Sequence, residues 1–365
     1  MVISPPESGG TATRIRFRES RYNNEGLYIT EDVSDNSPLM PEQPRKQKDL
    51  PDLIWLRAFD DKHKYKYSKV EVESFELRNL LHLELAHDPR FHSPSDSLKN
   101  SMTLTSKFEP LVHSWERLEA LANAGYDSDA WKSLQRRISE INPRSNKEVE
   151  HSPRPSALVV LADEKNTKKA FADLAVLLNQ VRTTPELKAY FLALEVQRQS
   201  QSIQFEHLWT IFPPGELVYS TLFMKKDQIF IVKECTAEII PESDSGREKD
   251  AKRFWSLVCW TYDWDGRTFN RVPIIFRFEE FQSARLINTL HCHPLRHHNT
   301  DTIELETLRK NLIDRGKRFR NLCIRQSGSQ MFNYNGDAIS HGAGFQLSKE
   351  NQNDVGTTSY MPYLQ

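Results

Sequence analysis

Ile211-Phe212-Pro213-Pro214-Gly215-Glu216-Leu217-Val218-Tyr219 is the stretch on which the fold turns. Before it, apolar residues recur every three or four positions. After it they recur every two. Two prolines and a glycine cannot continue a helix, so a helical region ends here and a strand begins at Leu217. Immediately upstream, Ile203 to Ile211 reads as a short amphipathic helix. Further upstream, Thr184 caps a helix that opens at Pro185 and runs to about Gln201. Thr167 to Val181 forms another, with Phe171, Leu174, Leu178 and Val181 on one face.

Downstream, Leu217 to Tyr219 and Gln228 to Lys233 are strands joined near Lys225-Lys226-Asp227. Phe254 to Tyr262 is a longer strand, and Asp263-Trp264-Asp265-Gly266 is a turn whose Asp-Gly pair tolerates positive φ. Thr268 to Phe278 returns, and Pro273 marks that strand as an edge or a bulge. The expected class is therefore α+β, with a helical N-terminal half and a mainly antiparallel sheet or small barrel in the C-terminal half.

The same reading extends to both ends. Residues 1–50 offer almost nothing to bury and are expected to be a disordered tail, with Thr13 to Phe17 as a short sheet-edge exception. Residues 51–200 form a mostly helical region with a short sheet. Its elements are Ile54-Trp55-Leu56 as a buried strand or helical turn, and Val70, Val72 and Phe75 on a strand reaching about residue 78. Helices follow over Leu111, Trp115 and Leu118, and from Ser128 through Trp131, Leu134 and Ile138. Residues 142–155 read as a linker. Residues 201–340 form a β-rich domain, within which residues 242–250 are an exposed loop and Thr302 to Arg315 is a helix. Gly316 either caps that helix in the left-handed conformation or kinks it before Lys317-Arg318-Phe319. Residues 341–365 are expected to be a flexible tail.

Lys plus Arg number 49 against 50 acidic residues, a net charge of -1, so no global field favours nucleic acid or anionic lipid. The hydrophobic fraction is 38%, and the mean hydropathy is -0.64. No apolar run approaches the roughly 20 residues of a membrane span, and the first ten residues lack a signal-peptide core. An intracellular protein, cytoplasmic or nuclear, is expected. Cys235, Cys259, Cys292 and Cys323 have no close spacing and read as reduced structural thiols. Cys292 beside His291, His293 and His297 has zinc-ligand chemistry without zinc-ligand spacing.

Two constellations stand out. Arg309, Lys310, Arg315, Lys317, Arg318 and Arg320 form the densest basic group, with Phe319, Phe332 and Tyr334 nearby. They read as a solvated helix end, a protein-binding surface or a phosphate-binding group. His291 and His293, together with His297 and His298, outline a polar pocket to which Asp263 and Asp265 are further candidates. The two aspartates are equally explained as turn residues. No Gly-x-Ser-x-Gly elbow and no His-Glu-x-x-His pair occurs, so catalytic residues, a metal and a cofactor are all assigned as none.

Phe205-Glu206-His207-Leu208-Trp209, Phe212 through Tyr219, Trp260 through Phe269, Leu290 to Leu295, Leu308 to Leu322 and Phe332 to Ala338 occur in an ordered series. That series resembles the region preceding the ATPase core in a group of large fungal AAA-type ATPases, and it covers residues 205–340. The resemblance implies a β-rich accessory domain. The chain lacks the Gly-x-x-x-x-Gly-Lys-Ser/Thr loop that would cradle phosphate. Its nearest pair, Gly316-Lys317, has neither the upstream glycine nor the hydroxyl. The expected function is accordingly a non-catalytic accessory or protein-interaction module. Its partner would be an ATPase acting in trans or a second copy of the chain. The alternatives are nucleic-acid binding through residues 309–320 and an enzyme of an unrecognised kind.

Overall fold

A computed structural model describes residues 13–22, 27–33, 51–86, 88, 102–123, 128–129, 131–136, 161, 163–222, 225–240, 252–265, 267–298 and 301–324. The expected linker 142–155, the loop 242–250 and the tail 341–365 lie outside the described residues. The chain divides into two compact units, residues 1–195 and 196–365.

The first unit contains strands β1 (Ile15–Tyr22), β2 (Tyr28–Val33), β3 (Leu53–Phe59), β4 (Tyr65–Val72) and β5 (Met102–Thr105). Its helices are α1 (Phe75–Glu84), α2 (Glu109–His113), α3 (Trp115–Ala122) and α4 (Glu164–Arg182), and α5 (Pro185–Ser200) starts within it. The sheet order is β2-β1-β3-β4-β5, with β1 parallel to β3 and the other neighbours antiparallel. Helices and strands therefore interleave, and the expected helical N-terminal half is corrected to an α+β unit. The tail expectation is corrected as well, because β1 and β2 fall inside residues 1–50. Six of their fourteen side chains are charged, but a strand beside β3 gains backbone hydrogen bonds whatever its apolar content. Counting apolar residues misses that term.

Alternation in β4 buries Ser68, Val70 and Val72, and Trp55 of β3 stacks on Phe108 with ring centroids 5.4 Å apart. The strand expected to reach residue 78 stops at Val72. Ser74 Oγ accepts the Leu77 amide at 3.4 Å and starts α1, so a cap wins over the alternating pattern. Helix α4 begins with Asp163 accepting from the Lys165 amide at 3.1 Å, and it buries Phe171, Leu174, Leu178 and Val181. Helices α1 and α3 pack on it.

The second unit runs β6 (Ser202–Ile203), a 3-10 helix (Phe205–Ile211), β7 (Leu217–Ser220), β8 (Gln228–Ile240), β9 (Lys252–Trp264), β10 (Phe269–Glu279), β11 (Arg285–Leu286), β12 (Cys292–Pro294) and α6 (Thr302–Cys323). The segment 203–211, expected as an amphipathic helix, is thus a short strand followed by a 3-10 turn. Gly215 sits at φ +87°, a backbone that other residues adopt only with strain. Its amide donates to Val232 O at 2.8 Å, which swings the chain from the helical period into β7.

The main sheet has the order β10-β9-β8-β7-β12 and is antiparallel throughout. Pro273 lies on β10, an edge strand, where its missing amide proton costs no ladder bond. The inner face buries Phe230, Val232, Leu257, Cys259, Phe276 and Phe278. Although β10 and β12 are opposite ends of the sheet, the ring of His291, just before β12, stacks on Phe278 of β10 at 4.4 Å. The sheet therefore curls around its core. No β10–β12 pairing closes it among the described residues. Helix α6 is continuous through Gly316, which does not cap it; the C-cap is Ile324.

Candidate functional site

The three-residue strand β12 is pinned to β7 with Cys292 opposite Ser220 and His293 opposite Tyr219. Ser220 Oγ donates to His291 O at 2.8 Å, which fixes the approach to β12. His293 is 4% exposed, and its Nδ1 lies 2.9 Å from Leu290 O. A carbonyl only accepts, so Nδ1 carries the proton and Nε2 is an acceptor. His298 Nδ1 lies 3.1 Å from that Nε2 and must donate to it, which leaves His298 Nε2 with its lone pair. The two imidazoles are nearly parallel, at 7° and 5.4 Å. Tyr219 lies against His298 with centroids 3.9 Å apart and donates its hydroxyl to Asp227 Oδ1 at 2.6 Å.

A second set borders the first. His297 Nδ1 donates to Gln201 Oε1 at 2.7 Å, and Arg296 donates through Nε to His297 Nε2 at 3.3 Å. The same arginine pairs with Glu216 Oε2 at 2.5 Å. Every histidine here is held below its ordinary pKa. Burial lowers His293 and His298, against the Leu290 hydrogen bond in the first and the Asp227 and Glu304 charges in the second. Burial and then the Arg296 charge lower His297 to about 4. Burial against the phenylalanines and the Arg285 charge lower His291 as well. Burial raises Glu216 while Arg296 opposes it, and burial plus the Asp227 hydrogen bond raise the Tyr219 hydroxyl. The four histidines and the Tyr219 hydroxyl are thus neutral at pH 7.

The thiols fit the same pattern. Cys259 and Cys292 are free and fully buried. Burial pushes Cys259 up to about 12 and Cys292 well above the ordinary thiol value, so both stay protonated. Among the described residues no group of three His, Cys, Asp or Glu is placed to hold a metal ion.

The histidines and the aspartates are not joined. His293 pairs with His298, whereas His291 turns to Phe278, so spacing two along the chain does not unite the first pair. Asp265 accepts the Arg267 and Thr268 amides, both at 2.7 Å, and Asn270 Nδ2 at 2.6 Å, which organises the β9–β10 turn. Asp263 accepts its neighbour's Trp264 amide at 2.8 Å. No hydrogen bond links either aspartate to a histidine among the described residues.

On α6, Leu305, Leu308 and Leu312 are half-buried, and Phe319 meets Phe269 edge-on at 5.8 Å. Arg315 donates to Asp227 O and so ties the helix to the β7–β8 turn. Arg309 pairs with Glu306 at 3.1 Å and Lys317 with Asp314 at 3.9 Å. At about 100° per residue, Arg309, Arg315, Lys317, Arg318 and Arg320 are spread around the helix instead of converging. Arg318 and Lys317 border a shallow polar depression with Asn311, Asp314 and Asn321. Tyr334 and Phe332 lie outside the described residues. The sequence reading missed Tyr219 and Asp227, because their partners are distant in the chain and only the β7–β12 register brings them together.

Residues 193–299 match a family described as a domain of unknown function (DUF7025), a span that contains the curled sheet and the histidine array. No curated protein and no solved structure matches the chain.

Proposed function

We propose that the chain is a non-catalytic interaction module whose recognition element is α6. One observation carries this reading: a 22-residue helix has no buried residue and turns Ile303 (74% exposed) and Ile313 (56% exposed) to solvent. By helical spacing those two isoleucines and Ile324 lie on the side away from Leu305, Leu308, Leu312 and Phe319. A capped, ordered helix with a mixed apolar and basic outer side suits docking into a partner's groove, where apolar side chains anchor and arginines rim. The buried thiols inside the curled sheet and the histidines beside Tyr219 support the same reading, since they are neutral and engaged in packing.

The resemblance to the region before an AAA-type ATPase core supports such a core, acting in trans, as the partner; a second copy of the chain is the other arrangement. Retention of the purified chain on an immobilised AAA-type core, together with sedimentation equilibrium of the chain alone, tests both. Wild-type protein should be retained or sediment above the monomer mass. The pair Ile303→Ser and Ile313→Ser should abolish whichever is seen while leaving the circular dichroism unchanged. A monomer that no core retains would refute the reading.

A further inference from the structure

Charge is distributed unevenly along α6. Residues 309–320 hold six cations, Arg309, Lys310, Arg315, Lys317, Arg318 and Arg320, against the single carboxylate of Asp314. All six are exposed, in a chain whose net charge is -1. The helix dipole accounts for cations in the last turn only, and Arg309 and Lys310 lie well before it. At about 100° per residue, Ile303, Ile313 and Ile324 share one arc of roughly 100° with Glu306, Lys310, Lys317 and Arg320. Down the helix those seven positions alternate spacings of three and four, which is the spacing of a seam between two helices.

On this seam three isoleucines stand about 15 Å apart, with cations in the gaps. Glu306 already pairs with Arg309, and Lys317 meets Asp314 at the longer distance of 3.9 Å. Lys310 and Arg320 make no side-chain ion pair among the described residues. A second α6 laid along the seam would set these cations against like charges. A phosphate backbone would meet the cations but leave the isoleucines in water. A bilayer would take the isoleucines but draw Lys310 and Lys317, on the midline of the arc, towards hydrocarbon. The complement is a helix with aliphatic residues facing the isoleucines and carboxylates facing the cations.

We propose that α6 pairs through this seam with an acidic amphipathic helix of a partner protein. The inference rests on the reading of α6 as the recognition element and adds the chemistry of what it recognises. Ile303, Ile313 and Ile324 anchor the contact, while Lys310, Lys317 and Arg320 select for carboxylates at the flanks of the partner's apolar stripe.

The test uses the full chain and a labelled helical peptide of about 24 residues, with leucine at heptad positions a and d and glutamate at e and g. The same peptide with lysine at e and g is the control. Anisotropy should rise with the glutamate peptide alone, and affinity should fall as salt increases. Lys310→Glu combined with Arg320→Glu should weaken that binding at least about ten-fold and transfer it to the lysine peptide, with unchanged circular dichroism. Ile313→Ser should weaken it about ten-fold. Neither oligouridine of about twelve nucleotides nor phosphatidylserine vesicles should displace the peptide. No binding by folded wild-type protein, equal binding of both peptides, or displacement by either polyanion would overturn the proposal. Retention on a partner that is lost in the Ile303→Ser, Ile313→Ser pair but unchanged by the charge reversal would overturn it too, while leaving α6 as the docking element. Retention unchanged by both sets of substitutions would remove α6 as well.

Discussion

In the first unit a buried carboxylate is satisfied by charge. Asp173, 1% exposed, accepts from Lys169 Nζ at 2.7 Å, Thr13 Oγ1 at 2.7 Å and Ser74 Oγ at 2.5 Å. Lys169 also reaches Asp52 Oδ1 at 2.8 Å, which in turn accepts the Arg14 amide through Oδ2 at 2.9 Å. In the second unit the buried rings around His293 are satisfied by neutral hydrogen bonds and stacking. The first arrangement ties the entry to β1, the loop before β3, the cap of α1 and the middle of α4 with one lysine. The second needs no counter-ion, only the correct tautomers. A charged knot fails when one partner is removed, whereas a neutral array fails when a proton is added.

The largest effect separating the two belongs to the knot. Asp173→Ala leaves Lys169 half-desolvated with one fewer partner and should cost about 3 kcal/mol in urea unfolding. A loss below about 1 kcal/mol would mean that water replaces the carboxylate there. His293→Ala removes the bonds to Leu290 O and His298 together with a buried ring, and should cost about 2 kcal/mol.

Next in size are opposite responses to pH. Histidines whose folded pKa lies below the unfolded value of 6.5 give stability that is complete above that value. It is lost as pH falls towards about 4, because the unfolded chain takes up protons first. Lys169 behaves in the other sense. Burial opposes its charge, but the bonds to Asp173 and Asp52 prevail and raise its folded pKa above 10.5. Its contribution is complete below 10.5 and declines as pH rises through the folded value. Hydrogen exchange read by region should show β12 loosening first in acid and α4 loosening first in alkali. The smallest effect marks the boundary of the comparison. Arg309→Ala removes a solvent-exposed pair with Glu306 and should change stability by less than about 0.5 kcal/mol.

What the sequence disclosed follows from the range of its signals. The break at Pro213-Pro214-Gly215 and the strands on either side of the Asp265 turn are local, and local residues sufficed to read them. The partners of Asp173 come from Thr13, Ser74 and Lys169, and nothing in their spacing announces a meeting. The pairing of His293 with His298 depends on Pro294 turning the chain after a three-residue strand, which periodicity does not record. Only the start of β1, at Thr13 to Phe17, was legible as a sheet edge; the rest of the β1–β2 hairpin was not, because sheet pairing is a backbone property. For α6 the apolar residues Leu305, Leu308 and Leu312 were legible. Their meeting with the hairpin tip through Phe319 and Phe269 was not, since it required the length of β9 and β10.

The central claim is that recognition belongs to the outer side of α6 and not to the buried histidine array on β12. Hydrogen exchange of the full chain, with and without a saturating AAA-type ATPase core, and at low and high concentration of the chain itself, compares the two regions directly. The account predicts slower exchange in peptides spanning Thr302–Cys323 and unchanged exchange across Cys292–Pro294. Protection confined to β12, or absent from both, would contradict it.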